Sequence, residues 1–289
     1  MRLLDRLLSD GFDVTREGKP HIIALLKKSQ LVLADNVAKY CLTLDTSREV
    51  VASDFPCVLP PFELTFIEMK IAYEKASEFI PESEVGNTFQ SISQGSIGNV
   101  DICLLGFTFV QFVGRRMPVL MSKSVLPIAK DGTIVPQNSN GKLGLGTKRL
   151  YDFSDMSEEN NKKLCSSLVS FYLPPTLLTL SFMNCRNVAI KEERPPVKLS
   201  KKHQKRTGRP LVSYKLLQID HMKQVLEREG GASRDGLKKA LHICRGHFST
   251  YGKDGKGLLF GKYVATVWVP MHTRGSGDQG VVVKDYEVE

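Results

Sequence analysis

The chain has 289 residues, of which 25% are charged and 42% are hydrophobic. These proportions are typical of a folded globular protein, and they exclude a chain that is disordered throughout, a collagen-like repeat and a continuous coiled coil. The length allows one large domain or two smaller ones, and the formal net charge is +9.

The positive charge is unevenly distributed along the chain. Residues 1–197 contain 22 Lys and Arg and 22 Asp and Glu, whereas residues 198–289 contain 18 and 9. Such a difference between two parts of a chain indicates that one of them meets an anionic partner. The sequence therefore predicts that the last third of the chain contacts RNA or DNA.

The first half of the chain predicts strands joined by loops. Alternating apolar residues in 63–74 predict a strand, and the polar segment 81–99 predicts a loop. The nearly continuous apolar segment 100–113 predicts a buried central strand, and residues 117–132 predict a partner strand that ends in a turn at Asp131-Gly132.

A long helix is predicted to begin near Ser157, which can cap it, with Glu158 and Glu159 in the first turn. Its continuation, 164–185, has no charged residue and is long enough to cross a membrane. Pro174 and Pro175 lie in the middle of this segment and predict an interruption of the helix, so we expect buried helical turns here. We expect no contact with a membrane.

The order of elements, strands first and a long helix later, predicts an α+β fold for residues 1–190. The expected sheet is mixed or antiparallel, and the long helix is interrupted. Residues 211–289 are expected to form a small, β-rich, basic unit, because several apolar segments alternate with glycine-rich turns.

Residues 191–210 contain eight Lys and Arg, two Glu and three Pro, and they predict a basic linker or an arm that becomes ordered on binding. Polybasic segments bind phosphates through counterion release. The residues predicted to contact nucleic acid are Lys198, Lys201, Lys202, Lys205, Arg206, Arg209, Lys238 and Lys239.

The C-terminal unit also concentrates histidine and arginine. If strands 241–250 and 260–269 pair as a hairpin, His272 and Arg274 emerge past one end of it. Two imidazoles can act as acid and base, and arginine can hold a phosphate. The candidate catalytic residues are His242, Arg245, His247, Tyr251, His272 and Arg274.

The alternative interpretation of these residues is packing within strands. A metal site is not expected, because the histidines supply at most three ligands and the chain has neither a C-x-x-C nor an H-E-x-x-H motif. No cofactor is expected either. The six cysteines are scattered and mostly lie in apolar segments, which favours a reducing compartment such as the cytoplasm.

The C-terminal segment carries the pieces R-G-H-F at 245–248, L-F-G at 259–261 and W-x-P-x-H-x-R-G at 268–275. In this combination it resembles the C-terminal end of uncharacterised proteins carried by bacteriophages and other mobile elements, and P-P-F-x-x-x-x-I-E at 60–68 gives weaker support. The resemblance implies a phage or mobile-element origin and the cytoplasm of a bacterial host, but no particular activity.

Three functional hypotheses follow. The leading one is a nucleic-acid-binding protein that contacts phosphates through its basic C-terminal third. The second is a metal-independent nuclease or a nucleotidyl- or ADP-ribosyl-transferring enzyme that uses Arg245 and His247. The third is a viral structural protein, or an inhibitor that binds a host or viral protein.

Overall fold

The computed structural model describes residues 1–15, 18–43, 50–71, 83–97, 100–219, 240–244, 246–252, 257–270, 272–274 and 276–281. The chain divides into two compact units. The first unit comprises Met1–Asn184 and Ile190–Leu217, and the second comprises Cys185–Ala189 and Gln218–Glu289.

The described helices are α1 (Leu3–Ser9), α2 (Lys19–Lys28), α3 (Asp35–Thr43), α4 (Glu158–Met183) and α5 (Val197–Thr207), with a 3-10 turn at Ala52–Asp54. The strands of the large sheet are β1 (Gln30–Leu33), β2 (Thr65–Ile71), β3 (Ser83–Ile97), β4 (Val100–Phe112), β5 (Val119–Ile128), β6 (Gly146–Arg149), β7 (Val188–Glu193) and β8 (Tyr214–Ile219).

These eight strands form one mixed sheet in the order β6-β5-β4-β3-β2-β1-β8-β7. Strand β1 is parallel to β2 and β8, whereas all pairs from β2 to β6 are antiparallel. The predicted α+β class is confirmed. The apolar segment 100–113 forms a central strand, as predicted, and its partner is β5.

Strand β3 corrects the prediction of a loop at 81–99. It pairs with β4 from Ser83↔Phe112 onward, and with β2 on its other side. The sequence did not indicate β3 because its composition is polar, and hydrophobic periodicity is the main signal for a strand. Gly86 is required here, since a Cβ atom at this position would lie 2.2 Å from Cζ of Phe66.

The main core lies between the sheet and the first two helices. Leu3, Leu4 and Leu7 of α1 pack with Ile22 of α2 and with Phe109 and other sheet residues, and all are buried. Helix α3 lies against β2 and α4, and α4 lies against β5. Neither α3 nor α4 contributes to this core cluster, so helices cover both faces of the sheet.

Helix α4 begins as predicted, because the Ser157 side chain accepts a hydrogen bond from Asn160 N at 3.2 Å. The predicted interruption is wrong, since the helix continues through Pro174 and Pro175 to Met183. Each proline removes one N–H donor, and the carbonyls that lose this donor belong to the exposed Ser170 and the half-buried Phe171. Among the described residues, α4 is the one helix long and apolar enough to cross a membrane, and most of its apolar part is buried within the protein.

A buried carboxylate fixes the start of α1. Glu68 of β2 is 1% exposed, and its Oε2 accepts a hydrogen bond from Leu4 N at 3.1 Å. Burial raises the pKa of Glu68, although hydrogen bonds from the Leu3 and Leu4 amides oppose the rise. Burial likewise raises the pKa of Asp5, which belongs to α1 itself. Two desolvated carboxyl groups therefore lie at the first helix.

The second unit contains β9 (Ala240–Cys244), β10 (His247–Tyr251), β11 (Ala265–Val269), β12 (His272–Arg274) and β13 (Ser276–Val281) among its described residues. Strands β10 and β11 pair antiparallel, and β9 lies between β12 and β13 in a second small sheet. The sequence pattern of residues 219–231 predicts a helix, and this segment lies almost entirely outside the described residues.

The unit boundaries differ from those predicted. Residues 191–210, expected to be a linker or arm, instead form half of β7 and all of α5, and they belong to the first unit. The small second unit consists mainly of residues 218–289, joined by 185–189. Composition suggested a linker because this segment has few apolar residues to bury.

Candidate nucleic-acid interface

Helix α5 has one anchored face, which is built from small polar residues and one histidine. Ser200, His203 and Thr207 follow each other at helical spacing, and His203 is 8% exposed. The Ser200 hydroxyl accepts a hydrogen bond from Leu211 N at 3.1 Å. The Thr207 hydroxyl donates to the His203 carbonyl at 2.9 Å.

The segment after α5 is tied back to the same face. Gly208 ends the helix in the left-handed conformation, with φ of +77°. His203 Nδ1 lies 2.8 Å from the Arg209 carbonyl oxygen, and since a carbonyl only accepts, Nδ1 carries the hydrogen. Val212 N donates to Asp5 Oδ1 at 2.9 Å, so helix α1 holds the chain that follows α5.

The opposite face of α5 is exposed and basic. Lys198, Lys201, Lys202 and Lys205 occur at spacings of three and four residues, which places them along one side of the helix. Arg206 lies beside them, and all five residues are exposed. At 1.5 Å per residue, Lys198 and Lys205 are roughly 10 Å apart along the helix axis.

This face has no acidic residue of its own, because the sequence of α5 contains neither Asp nor Glu. Among the residues that the structure describes, no carboxylate forms an ion pair with these five side chains. The nearby Glu192 lies 3.9 Å from both Arg194 and Lys215. The outward face of α5 therefore presents uncompensated positive charge.

The two units share the net charge differently from the two sequence segments. The first unit contains 28 Lys and Arg and 22 Asp and Glu, whereas the second contains 12 and 9. Two-thirds of the excess thus belongs to the first unit, because α5 is part of it. The sequence places the excess positive charge in the last third of the chain, but in the fold most of that excess belongs to the first unit.

The other residues predicted to contact nucleic acid are less informative. Arg209 is half-buried, and its carbonyl is used in anchoring α5. Lys238 and Lys239 lie outside the described residues, as does Arg245 of the candidate catalytic set.

Part of the predicted hairpin exists, as the antiparallel pair of β10 and β11. His247 pairs with Val269 and Tyr251 with Ala265, and in the same register His272 lies opposite Cys244 and Arg274 opposite His242. His272 and Arg274 thus follow Val269, the last paired residue of the hairpin, and lie in the second small sheet.

His247 lies in a different sheet from positions 242 and 272. It belongs to β10, which pairs with β11, whereas positions 242 and 272 belong to β9 and β12 of the second small sheet. His247 is exposed and Tyr251 is half-buried. The candidate catalytic residues that the structure describes are therefore divided between two sheets.

Trp268 is a core residue of the second unit. It is 6% exposed and packs edge-on against Phe248 at a ring distance of 4.8 Å. The Asn187 side chain donates to Trp268 O at 2.7 Å and accepts from Trp268 N at 2.9 Å. Asn187 therefore binds the edge of β11 like a short neighbouring strand.

A second exposed basic feature was not predicted as a site. Arg115 and Arg116 lie in the turn after β4 and are both exposed. The signal in the sequence is an arginine pair just after the apolar segment 100–113, and by itself it indicates only the end of the strand. Among the described residues, no group of three His, Cys, Asp or Glu side chains is arranged to hold a metal ion.

Comparison with protein families, with curated proteins and with solved structures found no match to this chain.

Proposed function

We propose that the protein binds nucleic acid through the phosphate backbone, with the outward face of α5 as the principal contact. The observation that carries this proposal is the row of exposed lysines at 198, 201, 202 and 205 on an anchored helix without acidic residues. Anchoring matters because a helix that is already ordered loses less conformational entropy on binding than a free arm does.

The energy of such binding comes from the release of counterions. Each lysine or arginine that neutralises a phosphate releases condensed cations, so the affinity falls steeply as the salt concentration rises. The five cations of α5 would give a slope of about −4.5 in log K against log salt on duplex DNA.

The chemistry of the face favours binding without sequence preference. Lysine is a flexible point charge, whereas base recognition uses planar groups that form paired hydrogen bonds with base edges. Four of the five cations on α5 are lysines. The proposed role is therefore contact with the backbone of RNA or DNA.

The context that we propose is the cytoplasm of a bacterial host, in the life cycle of a phage or mobile element. The C-terminal pattern at 245–275 supports the origin. The cysteines Cys41, Cys103 and Cys165 are free thiols, which supports a reducing environment.

The test is a triple substitution on α5, Lys201→Gln, Lys202→Gln and Lys205→Gln. We expect the affinity for a short labelled duplex and for a single-stranded RNA to fall by about 100-fold at low salt, because three phosphate contacts are removed. Fluorescence anisotropy measures this change, and the helix should remain folded because the substituted side chains are all exposed.

The matched control removes the same charge elsewhere. Lys27, Lys28 and Lys162 are exposed on α2 and α4, and their joint substitution by Gln should change the affinity much less. Equal losses in both triple variants would show that only net charge matters, and would overturn α5 as the contact. Undetectable binding of the unmodified protein at low salt would overturn the function itself.

A further inference from the structure

The turn between β4 and β5 holds its backbone in a defined conformation. Gly114 adopts φ of +82°, which lets the chain reverse direction. The buried Gln111 side chain donates to the carbonyls of Phe112 at 3.1 Å and Arg115 at 2.8 Å. Arg115 N also donates to Phe112 O at 3.2 Å. Hydrogen bonds from the buried Gln111 side chain therefore hold the backbone of the turn that carries the two arginines.

The Arg115 side chain is held on an aromatic platform. Its Cζ lies 4.8 Å from the ring centroid of Phe153 and 5.3 Å from that of Tyr151. Arg115 Nη1 donates to the Tyr151 hydroxyl at 2.9 Å. Cation–π contact and one hydrogen bond together fix the plane of the guanidinium.

The platform is itself anchored. Phe153 packs edge-on against Tyr151 at 5.0 Å and against Phe112 at 5.7 Å between ring centroids. The Asn161 side chain accepts from Phe153 N at 2.8 Å and donates to Phe153 O at 3.0 Å. The position of the guanidinium therefore depends on helix α4 as well as on the turn.

The charges around this turn leave the two arginines without an acidic partner. Two of the acidic residues in this segment, Asp152 and Glu158, form ion pairs with Arg149 at 2.7 and 2.6 Å. No carboxylate among the described residues forms an ion pair with Arg115 or Arg116. Tyr151 uses one of the five N–H donors that an arginine has, so the others remain available to a ligand.

We propose that this turn is a second anion-binding site, which takes a nucleotide of a single strand. Arg115 would hold the phosphate through paired hydrogen bonds, and Arg116 would add charge. An unpaired base can stack on the open face of a guanidinium, and Val113, which is 71% exposed, offers an apolar contact beside it. This inference rests on the proposed nucleic-acid binding, and it names the part of the ligand that the turn recognises.

The first test uses single-stranded oligonucleotides and a matched pair of substitutions. Arg115→Lys keeps the charge but removes the planar fork, and we expect it to lower the affinity for a short single strand by about tenfold. Arg116→Lys makes the same chemical change next to it, at a residue with no platform, and should leave the affinity nearly unchanged. Tyr151→Phe keeps the ring and removes the hydroxyl, so its effect should lie between the two.

Equal effects of Arg115→Lys and Arg116→Lys would overturn this inference, while leaving binding by α5 intact. An equal loss for duplex and single strand with Arg115→Lys would overturn the assignment to an unpaired base. These results differ from failure of the proposed function, in which the unmodified protein binds neither ligand.

A second measurement follows the NMR signal of Arg115 in the full-length protein. In protein labelled with ¹⁵N at arginine, the Nε–H signal of Arg115, identified with Arg115→Lys, should shift on titration with uridine monophosphate and shift less with inorganic phosphate. An Arg115 signal that does not move with the nucleotide overturns the site. The titration needs no binding by α5, so it separates the two proposals.

Discussion

Helix α5 and the C-terminal hairpin are both rich in cationic residues, but their architectures differ. The outward face of α5 carries four lysines and one arginine on an anchored helix. The C-terminal strands divide their histidines between two sheets, with His247 in one and positions 242 and 272 in the other. A binding surface needs cationic side chains that lie on one side of an element whose position is fixed. The number of cations close together in the sequence matters less.

Loss of the hairpin core should leave the function of α5 unaffected. Trp268→Ala should destabilise the second unit by about 3–5 kcal/mol, because it removes a large buried ring and its contact with Phe248. Hydrogen exchange should then become faster in β10 and β11, while the affinity for nucleic acid is retained. Trp268→Phe should have a smaller effect. If binding disappears together with protection of the hairpin, the comparison between the two regions is wrong.

The buried carboxylate beneath α1 should give a pH-dependent difference in stability. Glu68→Gln keeps an oxygen acceptor for Leu4 N and removes the buried charge. Burial raises the pKa of Glu68 above its ordinary value of 4.5, so this group favours the folded state at low pH and costs stability as the pH rises through the raised pKa. Relative to the variant, the unmodified protein should lose stability between acidic and neutral pH.

Thermal denaturation at a series of pH values measures this difference. Glu63→Gln serves as the control, because Glu63 is exposed five residues earlier, and its stability should follow that of the unmodified protein. Parallel curves for Glu68→Gln and the unmodified protein would contradict the raised pKa.

A smaller effect is expected at the anchored face of α5. Ser200→Ala removes the acceptor for Leu211 N and should lower the free energy of unfolding by about 1 kcal/mol. Ser167→Ala, at an exposed position of α4, makes the same change on a helix without an acceptor role and should be neutral or slightly stabilising. Chemical denaturation compares the two, and equal stabilities would show that Ser200 does not anchor the helix.

The smallest effect is predicted for the hairpin histidine. If the protein binds RNA and does not cut it, RNA incubated with the protein and EDTA stays intact, and His247→Ala changes nothing. Gel analysis of the RNA checks this. If the RNA is cleaved and His247→Ala abolishes the cleavage, the metal-independent nuclease hypothesis is supported instead, although His247 lies in a different sheet from His242 and His272.

The strongest patterns in the sequence predicted the fold well. Strand β4 and its partner β5 follow from long apolar segments, and the start of α4 follows from the capping chemistry of Ser157. Strand β3 was missed because few of its residues are apolar, although it pairs along most of β4. The interruption at Pro174 and Pro175 was wrong, since the long helix continues through both prolines although each removes one backbone donor.

The candidate site was predicted residue by residue but not as a surface. The lysines of α5 were named, yet its helical structure was not, because Ser200, His203 and Thr207 anchor it through hydrogen bonds that hydrophobic periodicity does not reveal. Arg115 was missed because Tyr151, which fixes it, lies 36 residues further along the chain. Only the fold brings such partners together.

The salt dependence of binding tests the central claim most directly. The affinity of the unmodified protein, of the α5 triple variant and of the matched triple control should be measured for one DNA duplex over a series of salt concentrations. We predict that the slope of log K against log salt becomes less steep by about 2.7 in the α5 variant, since each lost phosphate contact removes about 0.9, and stays unchanged in the control. A slope in the α5 variant equal to that of the unmodified protein would contradict the account.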